Sequence, residues 1–502
     1  MKSYLKKKRD GKISESTKPS STMVTWFETN RSGSGVKPPA CAWRDAPEAL
    51  AGPDALLYKG FHPMAPESRM TPRSPEETEL LRTALRRFPG GVIGGYYAPE
   101  DLQFVIKEAR GAHLYDHSGR EYLDYLLGSG PMVLGHAHPA VIKAVEGQLG
   151  RGTTYFQLSE PAVALAEEIC RAMPCAEQVR YTSTGSEATF FALRVARAFR
   201  KRDKILKFEG GFHGTHDYSL MSVGPKAPKA FPAPTPDSAG IPHAVSDEVL
   251  IAPFNDLAET EAIIAAHHES LAAVIMEPFQ RLIVPDRGFL AGVREITRRY
   301  GLPLIFDEIV TGFRFAYGGA QEYYGVVPDL AAVGKIIGGG FPLAAVVGRE
   351  EIMRHLAPAM EATGEFVQQA GTLNGNPVAA AAGLATLAEL RKPGAYERLF
   401  ATGNRVKTAL GEAAKRAGFQ AQVAGEAPVF EIYFTDRPIT DYRATLTADR
   451  ALHAAFTREL LERGIVKAAQ KIYVSLAHTE EDIQRTVQVF TAALEAVAEQ
   501  RS

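Results

Sequence analysis

Lys335 stands in Ala332-Val333-Gly334-Lys335-Ile336-Ile337-Gly338-Gly339-Gly340, between an apolar strand-like run and three glycines. A lone lysine in that setting is placed for imine chemistry with a carbonyl compound. Taken singly it would read as a solvated loop residue; its company gives it weight. Upstream, Leu302-Pro303-Leu304-Ile305-Phe306 ends in Asp307-Glu308, the pattern of a buried strand that delivers a carboxylate at its C-terminal end. Earlier still, Val179-Arg180-Tyr181-Thr182 leads through Ser183-Thr184-Gly185-Ser186-Glu187 into a helical stretch. Strand, glycine turn and helix together offer free backbone N–H groups to an anion, with Gly185 and Ser186 as the expected donors. An ordinary helix cap, Ser183 with Ser186 or Glu187, is the competing reading.

Amine, acid and anion seat meet the needs of one cofactor. Pyridoxal 5'-phosphate requires an amine for its aldehyde, an anion at its ring nitrogen, donors for its phosphate and packing on its ring faces. Lys335 is expected to form the imine and then to shuttle a proton between substrate carbon and cofactor as base and acid. Asp307 is expected to keep the ring nitrogen protonated, so that the ring remains an electron sink. A helix cap or surface carboxylate is the alternative for Asp307, but an acid directly after five mostly apolar residues fits that poorly.

At this point five segments carry a resemblance. They are Thr182-Ser183-Thr184-Gly185-Ser186-Glu187-Ala188-Thr189, Lys207-Phe208-Glu209-Gly210-Gly211-Phe212-His213-Gly214, Phe306-Asp307-Glu308-Ile309-Val310-Thr311-Gly312-Phe313-Arg314, Gly334-Lys335-Ile336-Ile337-Gly338-Gly339-Gly340 and Gly371-Thr372-Leu373-Asn374-Gly375-Asn376-Pro377. Their order and content resemble class III aminotransferases over roughly residues 85 to 490. Gly135-His136-Ala137-His138-Pro139 and Ser475-Leu476-Ala477-His478-Thr479 bring the chain nearest to the glutamate-1-semialdehyde aminomutase branch.

The resemblance implies further roles. Phe212 falls where the family stacks an aromatic, often tyrosine, on the cofactor ring, and Ile309 where a branched aliphatic covers the opposite face. Stacking survives the change to phenylalanine, but a phenol hydroxyl is lost. His213, beside Phe212, is expected in active-site hydrogen bonding. Gln280 matches a glutamine that related aminotransferases place on the cofactor's phenolic oxygen. Thr372 matches a threonine that reaches the phosphate of the neighbouring subunit, which implies a homodimer with composite active sites.

Three departures separate the chain from the aminomutases. Those enzymes tend to carry an asparagine slightly after the position of Gln280. They also have a longer flap with a glutamate, whereas Gly464-Ile465-Val466-Lys467-Ala468-Ala469-Gln470-Lys471-Ile472-Tyr473-Val474 contains no acid. A tryptophan common before the Gly-Pro step is missing from Leu127-Gly128-Ser129-Gly130-Pro131. Aminomutation must retain a diamino intermediate, and a flap helps to prevent its escape. The shorter flap therefore points to two-substrate transamination.

Residues for the substrate are read from chemistry alone. Arg281 could meet a carboxylate by bidentate hydrogen bonds; a surface arginine in a proline-flanked loop is the equal alternative. Tyr155 and Phe156 could line the pocket, though aromatics at this density are also ordinary core. Arg314 reads as structural. His136 and His138 lack a third ligand and read as a turn with capping histidines, so no metal is expected.

The elements that must position these residues alternate through the middle of the chain. Short apolar strands at Ile205 to Phe208, Val249 to Ile251, Leu271 to Met276, Leu302 to Phe306 and Ala344 to Val347 are separated by helical patterns, an α/β arrangement with a mostly parallel sheet. Such sheets bind ligands at the carboxyl ends of their strands. Glu76 to Phe88 predicts a helix, and Leu114 to Asp116 with Tyr122 to Tyr125 a hairpin. Gly224 to His243 reads as a long excursion beside the substrate channel. A C-terminal α+β part follows, with strands at Val429 to Phe434 and Ile472 to Leu476 and helices from about Ala448 to Arg463 and from Glu480. The expected organisation is an N-terminal extension over 1–75, a first part of a small α+β domain over 76–130, a large cofactor-binding domain over 131–378 and the rest of the small domain over 379–502. The resemblance to class III aminotransferases implies that this is the fold-type I architecture of pyridoxal-phosphate transferases.

Composition sets limits. Lysine plus arginine number 57 against 58 aspartates and glutamates, so no global field favours nucleic acid or an anionic membrane. The three cysteines, Cys41, Cys170 and Cys175, give no metal spacing and suit reduced thiols. No apolar stretch approaches the roughly 18 residues of a membrane span, and a cytoplasmic enzyme is expected. The first forty residues are lysine- and serine-rich without a signal-peptide core and read as an arm or leader; residues 41 to 75, with Trp43, Tyr58 and Phe61, read as a cover for the dimer or the active-site mouth.

The sequence thus predicts a dimeric aminotransferase that moves an amino group from an amine or amino acid to an oxo-acid, ketone or aldehyde. Glutamate-1-semialdehyde 2,1-aminomutation is the alternative; a racemase or epimerase and a non-catalytic pyridoxal-phosphate module are more distant ones.

Overall fold

The computed structural model describes residues 72–501. The readings placed on the basic arm, on Trp43, Tyr58 and Phe61 and on Cys41 lie outside the described residues.

A seven-stranded sheet forms the centre. Its order is Gln178–Thr182, Ala344–Gly348, Leu330–Val333, Leu304–Glu308, Leu271–Met276, Lys204–Phe208, Val249–Ala252. The last five are mutually parallel, while Ala344–Gly348 runs antiparallel to both its neighbours. These strands are continuous apolar runs rather than alternating ones, because the sheet is covered on both faces: all six residues of Leu271–Met276 and all five of Leu304–Glu308 are buried. Each large aliphatic side chain so buried contributes about 1.5–3 kcal/mol.

Two smaller sheets draw together the ends of the described chain. Ile106–Arg110, His113–Asp116 and Glu121–Tyr125 form an antiparallel meander, and the distant Ile465–Lys467 pairs parallel with Glu121–Tyr125, Ile465 opposite Leu123. Gln422–Glu426, Val429–Tyr433 and Ile472–Tyr473 make the third sheet. The segment between Ile465–Lys467 and Ile472–Tyr473 is therefore held at both ends by strands of different sheets.

Local corrections have physical causes. The strand expected over Leu302 to Phe306 is Leu304–Glu308; Pro303 precedes it, having no N–H to give to a ladder, and Asp307 lies within the strand rather than beyond it. Ile472 to Leu476 shortens to Ile472–Tyr473, after which the chain leaves the sheet and the N–H of Leu476 bonds to Val133 O. The cap of the helix Gly185–Arg200 is Thr184, not Ser183: Thr184 Oγ1 accepts the Glu187 N–H at 3.2 Å, and Glu187 returns a carboxylate to the N–H groups of Ser183 and Thr184 at 2.9 Å each. His136 places Nε2 2.7 Å from Asp124 Oδ2, and His138 occupies a helix N-cap without a side-chain bond to it. Among the described residues no group of three metal-ligating side chains occurs, and no helix is long and apolar enough to cross a membrane. Cys170 and Cys175 are free thiols, and burial pushes Cys175 up to about 12.

Candidate active site

Asp307 and Lys335 emerge from adjacent parallel strands at the same end. Asp307 stands opposite Ala332 and Glu308 opposite Val333; the chain then passes Gly334 and reaches Lys335, which opens a 3-10 turn with φ +49°. Side chains alternate along a strand. Glu308 accordingly turns the other way, into bonds from Thr311, Ala320 and Gln321, and Asp307 faces the cavity. This cavity has a volume of about 1110 Å³ and is lined by Gly185, Ser186, Phe212, His213, Arg281, Asp307, Ile309 and Lys335 among others.

Lys335 donates from Nζ to Ser129 O at 2.8 Å. Burial lowers the pKa of its amine, with the Lys471 and Arg314 charges working the same way against Tyr473 and Asp307. The neutral amine is the nucleophilic form, so the setting favours reaction with a carbonyl. Asp307 is 5% exposed, and burial pushes its carboxyl up to about 7 despite an N–H bond from Ile309 and the Lys335 and Lys471 charges. Its Oδ2 lies 2.9 Å from His213 Nδ1. Burial, reinforced by the Lys207 charge, takes His213 down to about 3. The ring is neutral, and Nδ1 shares one hydrogen bond with the Asp307 carboxyl. An acid this reluctant to ionise alone is suited to a cation placed beside it.

The anion seat is built by close approach. Gly185 begins its helix where a Cβ would lie 3.0 Å from Ile309 Cδ1, and a Cβ at Gly334 would lie 3.0 Å from the same atom, so Ile309 is fitted between two backbones. A Cβ at Gly214, φ +94°, would come within 2.5 Å of Ser186 Oγ. That glycine lets the Phe212-His213 loop close on the helix start, where Thr215 N–H donates to Ser186 Oγ at 3.1 Å.

The remaining sequence candidates divide. Phe212 is half-exposed toward the cavity, its N–H held by Glu277 Oε2 at 3.0 Å, and the Arg281 guanidinium carbon lies 5.5 Å from its ring centre. Gln280 is wholly buried and is not on the cavity wall: Nε2 donates to Glu209 O at 2.7 Å, and Glu277 lines the cavity instead. Tyr155, Phe156 and Thr372 are exposed and do not line the cavity of their own chain. Tyr155 donates its hydroxyl to Arg151 O at 2.6 Å. Arg314 is fully buried with its guanidinium on the carbonyls of Gly130 and Val474; burial brings it down to about 10, still cationic at neutral pH.

Ser129, Glu277 and Lys471 were not foreseen as cavity residues, and neither was the apolar wall of Phe88, Val92, Ile93, Phe104 and Ile106. Leu127-Gly128-Ser129-Gly130-Pro131 and the flap segment that contains Lys471 had carried a signal, without these residues being named for the cavity. Asp237, from the excursion read beside the channel, lines the cavity, as does Val223 just before it.

The residues fit pyridoxal phosphate. Asp307 offers a buried acid without its own cation, Gly185 and Gly214 leave a cradle that Cβ atoms would fill, and Lys335 is close enough to register the Asp307 charge.

Comparisons with known proteins agree with that fit. The family profile described as Aminotransferase class-III matches residues 96–494. A glutamate-1-semialdehyde 2,1-aminomutase of Pelotomaculum thermopropionicum is 42% identical over 455 residues, 89% of this chain and 100% of that protein. An omega-transaminase of Sphaerobacter thermophilus is 36% identical with a TM-score of 0.79, covering 84% of this chain and 97% of that one. A transaminase solved with pyridoxal phosphate bound is 28% identical with a TM-score of 0.77, over 85% and 98%.

Proposed function

The chain belongs to the class III aminotransferase family of pyridoxal-phosphate enzymes, and from that premise we propose that it transfers an amino group from an amine or amino acid to an oxo-acid, ketone or aldehyde in two half-reactions. The observation that carries this reading is the pairing of Lys335 and Asp307 at the ends of adjacent strands in one cavity. Bound there, pyridoxal phosphate supplies the sink for electrons released at the substrate carbon. Lys335, whose pKa burial lowers, would engage the carbonyl and would take and return the proton at the substrate carbon. Asp307 would hold the proton on the ring nitrogen, its carboxyl oriented by His213 through Oδ2. Gly185 and Ser186 present N–H groups to the phosphate at the helix start. Phe212 and Ile309 would pack against the ring, and Arg281 would meet a substrate carboxylate.

Thr372, exposed on its own chain, serves the phosphate of a second copy, and the working unit is a homodimer. Tyr155 and Phe156, also exposed, then face the partner's site rather than their own. The large domain, 131–378, carries the cofactor, and 76–130 with 379–502 form the lobe that closes over it. We place the enzyme in the cytoplasm.

A second reading, intramolecular transfer in glutamate 1-semialdehyde, is favoured by a specific observation. The sequence relatives carry that name at about 40% identity over most of the chain, and they weigh for aminomutation more than for transamination. The acid-free flap weighs for transamination. A half-reaction screen separates the two: purified enzyme with cofactor is offered amines, α- and β-amino acids and glutamate 1-semialdehyde without a second substrate. One equivalent of carbonyl product per site supports transamination and names the donor. Many turnovers of the semialdehyde without an acceptor would replace it with aminomutation, and inversion of an amino acid without nitrogen loss would indicate a racemase.

A further inference from the structure

The flap on one wall of the cavity has an anchorage that the amino-transfer reading does not use. Ile465–Lys467 runs into Ala468-Ala469-Gln470-Lys471, a bridge joins Ala468 to Lys471, and the chain returns as Ile472–Tyr473. All four tip residues line the cavity. Two consecutive alanines have no side chain with which to fix a turn, so the path of the tip is set by where its backbone groups find partners.

The Lys471 N–H reaches Ala468 O at 3.5 Å, and Lys467 supplies a second donor there and one for Ala469. Lys467 is 2% exposed, and its Nζ turns back to the carbonyl oxygens of Ala468 at 3.1 Å and Ala469 at 3.4 Å. The same Nζ lies 2.5 Å from Glu431 Oε2 on the strand Val429–Tyr433, and Glu431 is 1% exposed. An ammonium has three N–H bonds, and Glu431 and the two flap carbonyls lie nearer to Nζ than its fourth neighbour, His453 Nε2, at 3.5 Å. His453, from the helix Arg450–Glu462, brings Nε2 within 3.5 Å of the same carboxylate oxygen, and the Ile432 N–H holds Oε1 at 3.0 Å.

Burying an ion pair is costly, and apolar residues of similar volume commonly stabilise a core as well or better. What they lack is three donors on one atom, directed at one carboxylate and two flap carbonyls. We propose that Lys467 is a positioning residue: anchored by Glu431, its ammonium clamps the Ala468 and Ala469 carbonyls and holds the flap tip over the cavity that contains Lys335. The functional consequence rests on the reading of that cavity as the cofactor site. A clamped tip limits entry of small nucleophiles and escape of amine intermediates.

The test uses full-length enzyme carrying pyridoxal phosphate and a double variant, Lys467→Met with Glu431→Leu, which removes both charges together so that neither is left buried alone. The probe is hydroxylamine, which displaces Lys335 from the bound cofactor and is followed by loss of the cofactor's visible band. The expected result is displacement roughly tenfold faster than in the unmodified enzyme at equal cofactor content, with faster hydrogen exchange confined to 466–473 and unchanged in 271–276. Lys467→Arg, which keeps charge and donors, should return most of the difference. Displacement and flap exchange at the unmodified rates would overturn the clamp, as would faster exchange spread evenly through the small lobe. Should the double variant fail to fold, Glu431→Gln is read by the same two outcomes. Absence of a lysine-bound cofactor band in the unmodified enzyme would instead sink the cofactor-site reading, and hydrogen exchange of the variant would then decide the clamp alone.

Discussion

On the floor of the cavity the reactive groups lie in, or a few residues beyond, buried strands: Asp307 within Leu304–Glu308, Lys335 two residues past Leu330–Val333, and Phe212 and His213 shortly after Lys204–Phe208. The opposite wall is made by the segment around Phe88 to Ile106 and by the flap, and Phe88, Ile93 and Ile106 are 44%, 89% and 41% exposed. The floor is tied to the ladders of the central sheet, whereas exposed wall positions such as Phe88 and Ile93 can be exchanged at little cost. A rigid floor suits the chemistry shared by a family, and a loop-built wall suits the choice of substrate.

The largest effect should come from the floor. Lys335→Ala is expected to abolish the visible band of lysine-bound cofactor and to lower turnover roughly 10³-fold or more, measured spectroscopically and by steady-state rates. Unchanged turnover would remove the floor from the chemistry altogether.

Asp307→Asn comes next, with two readouts of opposite sign. Turnover should fall roughly 10²-fold or more, since an amide cannot hold the ring proton by charge. The stability of the cofactor-free protein should change the other way. Raised from 3.8 to about 7, the folded carboxyl keeps a proton that the unfolded chain has released, so stability falls as pH rises between those values and is level above. Asn removes that slope, and urea unfolding at pH 5 and pH 8 would show it; a slope that survives the substitution would place the titration elsewhere.

Thr372→Ala should weaken cofactor retention by about 1 to 3 kcal/mol, read from the cofactor dissociation constant. No change would break the assignment of Thr372 to the partner's floor. Arg281→Gln should raise KM for carboxylate-bearing donors roughly tenfold and leave neutral amines unaffected. Equal changes for both would make Arg281 a wall residue without selectivity. The smallest effect is expected on the wall itself: Ile93→Ala, at an exposed position, should alter stability by no more than about 0.5 kcal/mol in denaturant unfolding while shifting KM among apolar donors. A large stability loss there would erase the contrast between floor and wall.

Most of the floor was legible because each of its residues sits beside a break in a local pattern. An apolar run that ends in an acid, or a strand that stops at a glycine, can be read within ten residues. The wall was not legible because it is assembled from segments hundreds of positions apart, each unremarkable alone. Glu277 was hidden by Gln280 three positions on, which matched a family motif; the structure turns Gln280 back to the Glu209 carbonyl and leaves Glu277 on the cavity. His213 was expected in hydrogen bonding, but its partner was 94 residues away and only the fold shows it to be Asp307.

The sequence by itself determined the strand and helix periods, the glycines at close approaches and the identities of amine, acid and anion seat, because those depend on neighbours along the chain. Tertiary structure alone decided that Ile465–Lys467 pairs beside Glu121–Tyr125, that Ile309 fits between Gly185 and Gly334, and that a buried Lys467 turns back on the flap. Those facts depend on which surfaces meet once apolar faces are buried, and burial is a property of the whole chain rather than of any stretch of it.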